Sequence, residues 1–562
     1  MIYTDKAGST LCSILQAMLA GAALLGLSTV ARAATLYADN TLKADITNGS
    51  YSIASRDATG SDGNAYTAIQ EAVRAMKPGD TLLLRGGVFK EHSISLFGKH
   101  GSATAWFTIR SFPGEWAVVD AGHAETSDGK TVNVFRSSSG RHEDAPTYWR
   151  FEWFEVTGGG PALIGQDGKP PTYNDIQPRE GAGFFFWPGF HLVFDHLYIH
   201  DNYGGGGPNG GAGIKLMNAS GATHHTVVTH CWLKDNGWPG SANGNLSNII
   251  FFADYRVPQE VNLDVACSRN EVCYNLLDGS AHGFKHKAQQ SLVRNNAGDD
   301  MEAKAQGDKF HHNIVRNSLR AGLWIAGDFA QVYNNIVDSS PGGIMVSDPP
   351  STPVRERFHV VVYNNLVING TIALHHGTEK DHPRAKLVNY WQGPRHPFWY
   401  CWNNIIENAA RKGSDQDIRD LYVCHTWIRE PLEIDMNTVH VDHDYFYPRT
   451  RADQVINVGR DRDNYSVDEY QARGWAKSPW ANLADPADPL HKSGSRYKTR
   501  GEHAVGGGRT IANGGLGQPH PYLDGTAIPR YLGAADPNGD AWVDTVLSLE
   551  QLGRSMKAPA KQ

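Results

Sequence analysis

The sequence predicts an all-β solenoid, and three observations carry that expectation. Residues Glu271 to Val346 repeat about every 20 residues, and the repeat runs more loosely to Ile405. Each repeat is a short apolar strand that meets an Asn and continues into apolar or small residues. Glycine is abundant, at 60 residues, as tight turns between short strands require. The repeats are Tyr274-Asn275-Leu276, Arg294-Asn295-Asn296, His312-Asn313-Ile314, Tyr333-Asn334-Asn335-Ile336, Tyr363-Asn364-Asn365-Leu366 and Trp402-Asn403-Asn404-Ile405. The steps from 275 to 296, 313 and 335 are 21, 17 and 22 residues, and those on to 365 and 404 are 30 and 39. A period near 20 with one strand-turn unit per repeat marks a solenoid. An Asn at each bend stacks on its neighbour and pairs buried backbone groups. A propeller or sandwich calls for longer repeats or stricter alternation. The expected fold is therefore a right-handed parallel β-helix.

The elements follow in order. Leu15 to Val30 is apolar and Ala31-Arg32-Ala33 is a small-x-small cleavage pattern, so residues 1–33 read as a secretory signal cut before Ala34. No other segment is apolar enough to span a bilayer. A periplasmic or secreted protein, monomeric, is expected. Ala65 to Met76 reads as an amphipathic helix with Ile69, Ala72, Val73 and Met76 on one stripe, ended by Pro78-Gly79. A helix there suits the covered end of a solenoid. Strands are expected at Thr81–Arg85, Trp106–Ser111 and Trp116–Asp120, with a turn at Gly86-Gly87. Clear coils span about 145 to 410, and His191–His196 begins one. His196 and His230 take the turn position before Asn does. Beyond about 411 the period fades, so the β-helix domain is drawn over 34–535 and residues 536–562 are left as a mobile tail. Asp536 to Asp540 imitates a calcium loop, but Leu547 stands where the bidentate Glu belongs, which favours a plain turn.

Net charge is −7 and becomes −8 once Lys6, Arg32 and Asp5 leave with the signal. Such a balance argues against nucleic acid, while an acidic polymer would bind where cations gather locally. The mature chain keeps Cys231, Cys267, Cys273, Cys401 and Cys424. Export permits bridges between Cys267 and Cys273 and between Cys401 and Cys424, with Cys231 as a buried thiol. No CxxC occurs, which argues against zinc.

The second strands of successive coils align by their leading residue: Gly213–Met217, Gly283–Lys287, Asp300–Lys304, Gly322–Ile325 and Gly343–Val346. Alternation turns Ile214, Leu216, Phe284, Met301, Ala303, Leu323, Ile325, Ile344 and Val346 inward. It turns Lys285, Lys287, Glu302, Lys304 and Trp324 outward, and leaves His286 facing the interior. Stacking at about 4.8 Å would set Glu302 beside Lys285 and Lys304 beside Lys287. Like charges in adjacent rungs lower a lysine pKa, and a lysine neutral near pH 7 is a general base; Glu302 works against that shift. An ordinary solvated face is the plain alternative. Asp299 and Asp300 at the preceding turn, with Asp278 and His282, offer oxygen ligands for Ca²⁺ or a catalytic carboxylate pair.

Pro78-Gly79-Asp80-Thr81 with Gly86-Gly87-Val88-Phe89 resembles the opening of the chondroitinase-B and alginate-lyase family, within the pectate-lyase-like superfamily. The resemblance covers about 60 to 400. In that family a Lys acts as base and an Arg on the next coil as acid. Lys287 up to Asn296 is similar to the base segment, and Lys304, nine residues before Asn313, takes the Arg position. The family's paired Glu calcium ligands are absent, with Ser280 and His282 nearby instead. Gly283, Phe284, Lys287, Asp299 and Asp300 are also similar to motif residues of calcium-dependent pectate lyases. Gly298-Asp299-Asp300-Met301 resembles the polygalacturonase strand, but Arg320-Ala321-Gly322 lacks the hydrolase His.

These readings combine into an exported lyase that cleaves a uronic-acid polysaccharide by β-elimination. Lys287 would take the C5 proton and Lys304 would assist the leaving oxygen. Lys285, Glu302, Arg320, Trp324, Tyr255, Arg256 and His282 would bind sugar. Asp278, Asp299 and Asp300 would hold Ca²⁺. The alternatives are a hydrolase using Asp299 and Asp300, and a β-helix that only binds acidic polysaccharide.

Overall fold

Strands of two to seven residues, many of them followed by a residue in the left-handed region, wind the chain into a parallel β-helix. The computed structural model describes residues 33–124, 132–138, 141–162, 181–204, 211–218, 223–238, 246–253, 269–280, 282–288, 308–325, 330–340, 342–347, 357–376, 396–402, 404–408, 421–426, 439–442, 445–448, 456–458, 463–474 and 541–552. Three long sheets hold 13, 11 and 12 strands. From Thr81 to Val458 the chain visits the first, second and third sheet in turn, then returns to the first one rung on. Every pairing between these strands is parallel, and the final hairpin of Ile456–Val458 with Asp463–Tyr465 is antiparallel.

Alternation along each strand puts one set of side chains inside. Val272, Phe310, Val332 and Val362 of the first sheet, Leu277, Val315 and Val337 of the second, and Ile249, Leu323 and Ile344 of the third share one core. At the bend between first and second sheets the expected Asn ladder is present. Asn275, Asn313, Asn335, Asn365 and Asn404 are fully buried. The side-chain amide of Asn275 donates to Oδ1 of Asn313 at 3.0 Å, Asn313 to Asn335 at 2.9 Å, Asn335 to Asn365 and Asn365 to Asn404 at 3.0 Å. Each Oδ1 also accepts the backbone N–H of the residue below it, Cys231 being the first. One residue earlier, His196, His230, Tyr274, His312, Asn334 and Asn364 all have φ between 51° and 57°. His196 and His230 therefore hold the left-handed position, while Asn succeeds Cys231 in the ladder.

Several expectations need correction. The ladder passes from Asn275 straight to Asn313, so the two short steps through 296 are one coil of 38 residues. The coils also outlast position 411: Val439–Asp442, Tyr445–Pro448 and Ile456–Val458 complete another turn. Their repeat was hidden because loops of unequal length separate the strands. The helix spans Ile69–Ala75 and not Ala65–Met76, because Asn64–Tyr66 is drawn into the first sheet beside Thr35–Ala38. Its stripe of Ile69, Ala72, Val73 and Met76 is buried as expected. The tail is ordered over 541–552, where Trp542, Val543, Val546 and Leu549 cover Trp232, Leu276, Ile314, Ile336 and Leu366 on the outside of the second sheet. Cys273 keeps a free thiol, so it forms no bridge to Cys267. Cys401 is a buried residue whose sulfur lies 3.4 Å from the Asn404 amide, in place of a bridge to Cys424. Cys231 is buried in the core as expected, where burial pushes its thiol pKa up.

Candidate functional site

The strand His282–Ala288 belongs to the third sheet, between Ser247–Ala253 and Ala321–Ile325. The glycine that leads it has a packing reason. A Cβ on Gly283 would meet Val315 Cγ1 at 2.3 Å, and one on Gly322 would meet Val337 Cγ1 at 2.4 Å. The second sheet comes that close, so these two third-sheet strands enter through a residue without a side chain.

Register then assigns the faces. Ile249, Phe284 and Leu323 are partners in one column, and Ile249 and Leu323 lie in the core. The neighbouring column runs Arg136, Phe185, Lys215, Ile250, Lys285, Trp324 and Met345. It is the outward one, since Arg136 is exposed and Trp324 and Met345 are half-buried. Lys215 is nonetheless 2% exposed, with its ammonium 5.2 Å from the Phe185 ring centroid. The Arg320 guanidinium stands 5.8 Å from the Trp324 ring centroid. Lys287 follows two positions after Lys285, in register with Phe252, and His286 pairs with Phe251 and Ile325. His282 pairs with Ser247 and Ala321.

The structure brings Lys285, Lys287, Arg320 and Trp324 to one stretch of the third sheet. It does not stack Glu302 on Lys285. The sheet position beyond Lys285 is taken by Trp324, because the next strand to pair is Ala321–Ile325. Asp299, Asp300, Glu302, Lys304, Tyr255 and Arg256 lie outside the described residues. Asp278 ends a strand of the second sheet, and both its carboxylate oxygens are engaged. Oδ2 accepts from Arg316 at 2.7 and 2.9 Å, and Oδ1 accepts from Asn317 at 2.8 Å. Arg316 also reaches Glu550 at 2.6 Å; burial opposes its charge, but these two carboxylates hold its pKa up. A carboxylate committed in this way does not fit the calcium role expected for Asp278. Lys215 was missed by the sequence reading. Its alignment two rungs before Lys285, each following a Gly-apolar pair, was the signal.

No protein-family model matches the chain. Over 163 residues it is 28% identical to the pectate lyase PEL9 of Emericella nidulans, a match covering 27% of this chain and 38% of that protein. The chain thus spans well under half the length of that relative. Among solved structures, pectate lyase Pel9A is 14% identical, with 72% of this chain and 82% of the other covered and a TM-score of 0.39. The family 28 exopolygalacturonase of Yersinia enterocolitica is 11% identical, with 74% and 73% covered and a TM-score of 0.39. Its three parallel sheets make the chain a parallel β-helix, and part of it is similar in sequence to a pectate lyase.

Proposed function

We propose that the protein is an exported polysaccharide lyase that cleaves an acidic, uronate-containing polymer by β-elimination. The observation that supports this reading is the outward column of the third sheet. Lys285 and Trp324 stand on adjacent rungs of it, about 4.8 Å apart, with the Arg320 guanidinium beside the Trp324 ring. A carboxylate-bearing chain laid there would meet these cations, and Trp324 offers a face for a sugar ring. The local similarity to a pectate lyase supports the same chemistry.

In the proposed reaction Lys287 removes the C5 proton, a C4–C5 double bond forms as the C4–O4 bond breaks, and the leaving O4 takes a proton from the Lys285 ammonium. Lys285, two residues along the same strand, takes the part first assigned to Lys304 as the second ammonium. Residues so spaced share a face at about 6.8 Å, and like charges that close favour release of one proton. Lys285 and Arg320 would neutralise the uronate carboxylate and so acidify C5. No step is assigned to Ca²⁺. Asp299 and Asp300 remain its proposed ligands, and loss of activity on chelation with recovery on added Ca²⁺ is the expected sign of it.

The test is a panel of acidic polysaccharides followed by ultraviolet absorbance of the unsaturated product. Absorbance should rise with at least one of them. Lys287→Ala should lower kcat by at least about a hundredfold with the fold retained. If Lys287→Ala stays active while Lys285→Ala is dead, the base is Lys285. New reducing ends without absorbance would replace elimination with hydrolysis by Asp299 and Asp300. Neither signal would leave a binding protein.

A further inference from the structure

Among the described residues, the outside of the first sheet carries three groups of side chains whose ligand atoms lie within 4.8 Å of one another: His191, His224 and His225; Asp195, His196 and His230; and Glu271, Cys273 and His311. They differ in chemistry. In the first, Nη1 of Arg269 is 3.4 Å from His225 Nε2, so a fixed cation stands where a metal would. In the second, one Asp195 oxygen is shared by His196 at 2.7 Å and His230 at 3.6 Å, an ion-pair arrangement without a soft donor. The third offers oxygen, sulfur and nitrogen together.

We propose that Glu271, Cys273 and His311 form a binding site for a zinc-like transition-metal ion. Val272 and Phe310 point into the core, so alternation turns Glu271, Cys273 and His311 to the outer face. Cys273 and His311 are register partners on adjacent strands. Both are buried, and Glu271 is half-exposed, so the site is walled by protein and open on one side. His311 Nε2 is 2.7 Å from Glu271 Oε1. Ligand atoms at about 2.0–2.3 Å around a tetrahedral Zn²⁺ lie roughly 3.2–3.8 Å apart. The pair must therefore open by about half an ångström, which the torsions of an exposed Glu side chain permit. A water would complete the four ligands, next to Thr229 Oγ1, which is 3.5 Å from Cys273 Sγ. A thiolate and an imidazole select a borderline-soft ion over Ca²⁺.

The site would act as a clip. Glu271 and His311 are 40 residues apart in sequence, and the chain between them includes the strand His282–Ala288. Joining them closes the coil that presents Lys285 and Lys287, and ion binding is then worth folding free energy. Binding must release the Cys273 thiol proton, and the thiolate formed bonds the ion.

The test is titration of the chelator-treated full chain with Co²⁺, which adopts zinc's geometry and absorbs light. An ultraviolet thiolate-to-cobalt charge-transfer band should grow to one equivalent, with proton release, and excess Zn²⁺ should bleach it. Cys273→Ser should abolish the band. His311→Ala should weaken Co²⁺ binding by more than the roughly tenfold that loss of an outer-shell contact costs. Circular dichroism confirms that each variant is folded. No band in the parent protein overturns the proposal. So does a band that survives Cys273→Ser, or an affinity unchanged in folded His311→Ala, whichever variant folds.

Discussion

His200 shows how one residue can make stability depend on pH. Burial works against its charge, but hydrogen bonds to Asp201 at 2.8 Å and Glu155 at 3.0 Å prevail and hold its pKa up at about 9. The unfolded value is 6.5, so the folded state binds the proton more tightly. This contribution is fully present below about pH 6.5 and is lost as pH rises through about 9, on the order of 3 kcal/mol in all. We expect the denaturant midpoint of the parent to fall across that window, and His200→Gln to flatten the fall. A parallel pH dependence in both proteins would remove His200 as its source. The individual residues of the candidate site were unevenly legible. Trp324 and the glycine leaders could be read because alternation and the repeat place them. Lys215 was passed over although Gly213–Met217 aligns with Gly283–Lys287, because alternation gives a residue its face and not its role. Asp278 looked like an oxygen ligand until Arg316, 38 residues on, was found to hold it.

At the scale of elements, the Asn ladder carries more than turn geometry. Asn335 accepts from the backbone and side chain of Asn313 and donates to Phe310 O at 2.8 Å, Tyr333 O at 3.0 Å and Asn365 Oδ1 at 3.0 Å. Asn335→Ala would leave several buried groups unpaired at about 1–3 kcal/mol each. The expected cost is roughly 3 kcal/mol or more, read as a lower urea midpoint. A loss below about 1 kcal/mol would mean that water replaces the amide. A second ladder, Asn202 to Asn236 to Asn248 with both links at 2.9 Å, joins the second and third sheets. It escaped the sequence because its members are 34 and 12 residues apart, with no common period. The same irregularity made 296 look like a rung.

At the scale of the molecule, a chain of net charge −7 is proposed to bind an acidic polymer. Bulk charge repels such a partner, and in the proposed reading Lys285 and Arg320 attract it at contact distance. At physiological ionic strength fields reach about 8 Å, so the near cations outweigh the remote carboxylates. Raising NaCl from about 0.05 to 0.5 M should therefore raise KM for the acidic polysaccharide severalfold with little change in kcat. A flat or falling KM would mean that these cations do not carry binding. The covering helix Trp542–Ser548 belongs to this scale too, since its buried side chains share one cluster with rungs that are distant in sequence.

The amino-acid pattern alone determined the class of fold, the inward and outward faces of its strands and the Asn at its bends. These are local properties, set by alternation and by the turn chemistry of single residues. Tertiary structure decided which strand lies beside which. Loops of unequal length between rungs leave no trace of register in the chain. Register puts Trp324 beside Lys285 and His311 beside Cys273, and each pair is separated by more than 35 residues.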